Sequence, residues 1–335
     1  MRSSLPLFVI GAIAIYQPTF SRPDYLVSRL LCVSLLILCL SFGAQAFESF
    51  SLTFDSIEFE GLSANDISIR FVWIDPGHID LTVTSGHIDS KFPGQITQLR
   101  IQCRQASFTA GTVVCDRGNL IYWHDILGRI AGDLQFTYRL QDGLVSMSVN
   151  TTLLAGGSMD ISFNKSDQGW RGVLKIKEII ATQIQGLLSH YPSFQGHILT
   201  SGTVNGSVEI TGHDRSVDTV NMTGKASDLG VDGTNIFEGV TLTLDLVGQK
   251  EGEGWHIENA ATIQQGAMYL IPGIEVLGDK PGFYLEVQDK PVLIHAGIDW
   301  LPEERIEISD LVVEHPGIMQ LHARELDVIL GNPTL

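Results

Sequence analysis

Val240-Thr241-Leu242-Thr243-Leu244-Asp245-Leu246 decides the fold class of this chain. Apolar and polar residues alternate without exception, and a period of two sends consecutive side chains to opposite faces of a sheet. The stretch reads as a strand with one apolar face and one wet face. Leu134, Phe136, Tyr138 and Leu140 repeat the pattern, as do Ile79, Leu81 and Val83. Gly, Asp and Asn interrupt the runs in the manner of turns.

Outward from that stretch, strands are expected at 198–204, 207–211, 219–226, 255–262 and 267–271. Towards the N-terminus the pattern continues through 52–59, 67–71, 79–83, 132–140, 144–149, 159–163 and 170–176. Towards the C-terminus it covers 283–287, 292–295, 306–313 and 319–330. The expected fold is all-β: an elongated, curled antiparallel sheet forming a β-groove. Only 178–190 breaks the two-residue period. There Ile180, Ile184, Leu187 and Leu188 fall at helical spacing and Tyr191-Pro192 ends the run. One amphipathic helix of about three turns is expected, serving as a plug or lid.

The N-terminus has the grammar of an export signal. Arg22 and Arg29 precede an apolar run from Leu30 to Phe42, and Ala44-Gln45-Ala46 supplies the small residues of a cleavage site. Cleavage after Ala46 is the first expectation; a retained inner-membrane anchor through 30–46 is the alternative. The organisation that follows is 1–46 signal, 47–177 first β-groove unit, 178–190 helix and 191–335 second unit continuous with the first. Thr152 to Met159 and Thr262 to Met268 resemble each other, which supports a repeated β unit.

Charge narrows the partners. With 38 acidic against 21 basic residues the net charge is −17, so nucleic acid, whose phosphates need a basic face, is not expected. Docking on anionic headgroups through net charge is disfavoured too. Yet 44% of the residues are hydrophobic, so any membrane-related role must come through acyl chains or a partner protein.

Of four cysteines, Cys32 and Cys39 fall inside the signal, leaving Cys103 and Cys115. Their midpoint, Thr109, lies beside the turn-like Ala110-Gly111, which places both sulfurs on one face of adjacent strands and predicts a cross-strand disulfide. The histidines show no metal-ligand spacing, and no nucleophile elbow, phosphate-binding loop or dinucleotide fingerprint is present. Neither enzymatic activity nor a cofactor or metal is expected. Asp299-Trp300 and Trp255 read as sheet packing, with a sugar platform as the alternative.

Several stretches resemble a known family. They are Leu99-x-Ile101-x-Cys103, Val113-x-Cys115-x-x-Gly118-x-Leu120, the Gly169-Trp170 strand leading into the helical segment, Ser201-Gly202-Thr203-Val204-Asn205-Gly206, and Val208-Glu209-Ile210-Thr211-Gly212. Together they resemble the periplasmic AsmA-like proteins, especially the YdbH and TamB group, over most of residues 50–330. The resemblance implies a trough whose apolar inner face carries phospholipid or other acyl chains between inner and outer membranes, in the periplasm and with envelope proteins as possible partners. This chain is much shorter than the best-known members, which points to a shuttle, a segment of a larger assembly or an accessory factor. The side chains expected to line the groove are Leu134, Phe136, Tyr138, Val240, Leu242 and Leu244. The competing expectation is an envelope β-sandwich or solenoid module without lipid cargo.

Overall fold

In the computed structural model of the chain, the described residues are 48–329, apart from 60–61, 76, 91–93, 192–193, 215, 234, 271–282 and 302–304. The expected signal, with Cys32, Cys39 and Ala46, lies outside them. The fold is all-β: seventeen strands in one open antiparallel sheet, with a single short helical segment. Among the described residues no helix is long and apolar enough to cross a membrane.

The chain divides into two compact units. One holds the described residues up to Trp123 together with Asp133–Met147; the other holds His124–Gly132 and the described residues from Ser148 onward. The expected boundary at the helical segment is therefore displaced towards the N-terminus. The reason is the continuous ladder on either side of that segment, where Gly206 to Gly212 pair with Ile176 to Trp170.

In the first unit, β1 (Ser49–Phe59), β2 (Leu62–Asp75), β3 (His78–Ser90) and β4 (Ile96–Thr109) pair in chain order. Registered partners share a face, so Phe50, Phe71, Leu81 and Cys103 form one apolar row and Leu52, Ile69, Val83 and Ile101 the next. β5 (Thr112–His124) returns from β4, and the expected disulfide joins them: Cys103 and Cys115 are bonded with Cα atoms 6.0 Å apart. Both sulfurs are buried with Ile79 and Ala106, and Phe71, Leu81 and Phe136 pack around them.

The second unit contains β8 (Gly157–Ser166), β9 (Gly169–Ile180), β10 (Ile198–His213), β11 (Ser216–Asp232), β12 (Ile236–Glu251) and β13 (Gly254–Leu270). These strands pair in chain order. β14 (Phe283–Val287) and β15 (Val292–Leu301) run end to end along the free side of β13, and β16 (Arg305–His315) and β17 (Met319–Ile329) follow. The strands connecting the units are β6 (Gly128–Arg139) and β7 (Leu144–Leu154).

The expected helix over 178–190 is shorter in the structure. Glu178 to Ile180 still belong to β9; a 3₁₀ turn spans Ala181–Ile184, and α1 covers only Gln185–Leu188. Neither end has a side-chain cap, and Gly186 weakens what periodicity alone suggested. The segment packs through Ala181, Ile184 and Leu188 on Leu199 and Val231, at one end of β10 and β11. Gly186 fits there because its bare backbone faces the Ile126 side chain, which a Cβ would meet at 2.7 Å.

A line of irregular residues crosses β9 to β13. Glu178, Gly202, Asp228, Gly239 and Gly266 all have positive φ. The registers slip at the same level: between Val204 and Gly206, between Leu199 and Thr203, between Ala226 and Leu229, and between Glu238 and Leu242. These are β-bulges, and each bends its strand and strengthens the local twist. Glycine is required at Gly266, where an added Cβ would stand 2.6 Å from the Val240 Cα, and at Gly202, 2.8 Å from the Leu229 Cα. Buried side chains gather at this level: Val240, Met268, Val287 and Val292 form one core.

Candidate functional site

Beyond the bulge line, the registers of the second unit fix which side chains share a face. One row runs Met159, Ile176, Gly206, Gly224, Leu244, Ala261, Ile294, Val313. The next runs Ile161, Leu174, Val208, Met222, Leu246, Asn259, Ala296. A third runs Phe163, Gly172, Ile210, Val220, Gly248, Ile257, Ile298, Ile308. An apolar surface thus continues across eight to nine strands, broken by one polar side chain, Asn259.

The reverse face is wet. Its row Asn164, Arg171, Thr211, Thr219, Gln249, His256, Asp299, Glu307 belongs to the same ladders one residue on. Arg171 pairs with Glu209 at 2.7 Å, and the Thr211 and Thr219 hydroxyls share a hydrogen bond of 2.7 Å. The His256 Nδ1–H donates to Asp299 at 2.6 Å; this bond raises the imidazole pKa above its ordinary value, with partial burial opposing.

Coverage separates the two parts of the apolar face. At the bulge line Val240 is 1% exposed and Met268 6%, as in a packed core. Past it, Leu174, Val208, Met222, Leu246, Ile257 and Ile298 are all only half-buried. A Leu or Ile inside a closed sandwich is almost fully removed from water; these side chains keep one side open. The helical segment packs at the other end of the strands and so does not serve as the expected lid on these rows.

Glycines leave part of the face bare. Gly206 and Gly224 are direct cross-strand partners, and Gly172 lies two rows along the neighbouring strand. A Cβ on Gly172 would meet nothing within 4 Å, and one on Gly224 only the Leu244 Cβ at 3.9 Å. Interior strand glycine weakens a sheet and marks places where something approaches the backbone closely. Ile176, Leu174, Val208, Met222 and Leu244 wall this shallow furrow.

The six side chains read from the sequence as groove lining fall in both units. Leu134, 4% exposed, is buried in the first, where Phe136 packs against the disulfide cluster and Tyr138 is half-buried. In the second unit Val240 belongs to the core at the bulge line, Leu242 packs against it, and Leu244 lies in the first open row. Each trio therefore grades from packed core to half-exposed face. Sequence reading missed Leu174, Val208 and Met222, which carry the face on either side of the furrow; their alternation was visible, but their neighbours across three ladders were not.

No family model, curated protein or solved structure matches the chain.

Proposed function

We propose that the chain is a non-enzymatic envelope protein that holds lipid acyl chains on the open apolar face of its sheet and helps phospholipid pass between inner and outer membranes. The observation that carries this reading is the half-exposed apolar face past the bulge line, continuous over the strands of the second unit and furrowed at Gly172, Gly206 and Gly224. Apolar area removed from water contributes about 25 cal/mol per Å², so a tail laid on this face gains several kcal/mol without a directional contact. Successive rows are chemically alike, so a tail shifted by one row loses little. Export through the N-terminal segment and the family resemblance place this activity in the periplasm.

Binding of a fluorescent fatty acid to the purified protein tests the proposal. Wild type is expected to bind and Leu244→Glu to lose most of the signal, because a carboxylate on the row beside Gly224 must stay hydrated. Binding that survives Leu244→Glu in a folded protein argues for a different site.

A further inference from the structure

The apolar face ends at the hairpins joining β8 to β9 and β12 to β13, and there the chemistry changes. Lys165 is the direct cross-strand partner of Trp170, and Lys250 of Trp255. Both pairs lie on the apolar face, because no register slip separates them from Phe163 and Gly172 or from Leu246 and Asn259. The two hairpins share one arrangement, a lysine followed five residues later by a Gly-preceded tryptophan, although they are far apart in the chain. Trp300 pairs with Trp255 across the next ladder and extends the row.

The backbone is shaped around these rings. Gly212 lies under the Trp170 indole, where a Cβ would come within 2.6 Å of the ring, and Gly248 lies beside the Trp255 ring at 3.6 Å. A recess of about 230 Å³ opens at the same rim, lined among others by Ser166, Gln168, Trp170, Arg171, Gly212 and His213. The Lys250 ammonium donates to the Ser216 hydroxyl at 3.0 Å and so is held at the rim.

Depth fits as well. From Leu242 to Lys250 the strand rises roughly 26 Å, whereas a membrane lipid tail fills about half of a ~30 Å hydrocarbon core. Tryptophan is the side chain that favours the boundary between hydrocarbon and headgroup, and lysine reaches from that boundary to a phosphate.

From these observations, and resting on the acyl-chain reading above, we infer that the hairpin rim of the second unit is a headgroup site for a glycerophospholipid. The tails lie along the strands towards the bulge line, Trp170, Trp255 and Trp300 pack at the glycerol level, and Lys165 and Lys250 contact the phosphate.

The test exposes the full-length protein to vesicles containing equal amounts of phosphatidylcholine and diacylglycerol with the same acyl chains, and quantifies the captured lipid by mass spectrometry. Wild type is expected to take phospholipid over diacylglycerol by about threefold more than Lys165→Gln/Lys250→Gln does, the size expected for two exposed charge contacts. Lys165→Arg/Lys250→Arg is expected to keep the wild-type ratio. An unchanged ratio in the glutamine variant overturns the headgroup site while leaving the acyl-chain reading in place. Wild type that captures neither lipid overturns both.

Discussion

At the scale of single residues, the account turns on side chains whose neighbours are fixed by register. Gly172 is the simplest probe, because its missing Cβ leaves open space and its backbone needs no positive φ. Gly172→Leu is expected to leave the melting temperature within a few degrees of wild type while weakening fatty-acid binding, since the new side chain stands in the furrow; unchanged binding would place the acyl chains elsewhere. On the wet face, Asp299 raises the pKa of His256 above its ordinary 6.5. A raised folded-state value means that the pair stabilises fully below the unfolded pKa and loses this contribution as pH rises through the folded value. NMR titration of the His256 ring should therefore show a lower pKa in Asp299→Asn, and the melting temperature of that variant should vary less with pH between about 5 and 8. The same pKa in both proteins would remove the coupling.

Secondary-structure elements show what the sequence could and could not reveal. Alternation located the strands near Leu134 and Leu244 and paired Cys103 with Cys115, because both signals are local and periodic. It split β10 at 204–207 and β13 at 262–267, where the structure has single long strands. Gly and polar residues were read there as turns, but Gly266 is a bulge inside a continuous strand. A bulge also shifts the alternation by one residue. Ala226 and Leu229 thus lie on opposite parities yet flank one slip, and the half of β11 beyond it did not register as strand. The positive φ at Asp228 needed no glycine, so its sequence signal was weak. The cross-strand disulfide carries its own prediction. A loop of this length contributes about 3 kcal/mol by restricting the unfolded chain, so Cys103→Ala/Cys115→Ala should melt clearly lower than wild type in non-reducing buffer, and the gap should close when wild type is reduced. Equal melting temperatures under both conditions would show that the bond is not formed.

For the molecule as a whole, fold class was legible because every strand obeys one period, whereas the site was legible only in outline. Leu134 and Val240 are the most regular alternating residues and also the best buried, so the clearest pattern marked the packed core beside the open face rather than the face itself. The furrow depends on glycines that pair across ladders, and the rim on two lysine–tryptophan pairs in separate hairpins, neither of which a linear reading aligns. The central claim is that the apolar rows of the second unit are covered by lipid. It is tested most directly by mass spectrometry of an organic extract of the gently purified protein, made without detergent. The account predicts stoichiometric phospholipid that is missing from an equally folded Leu244→Glu preparation; wild-type protein that is folded, soluble and free of acyl lipid would contradict it.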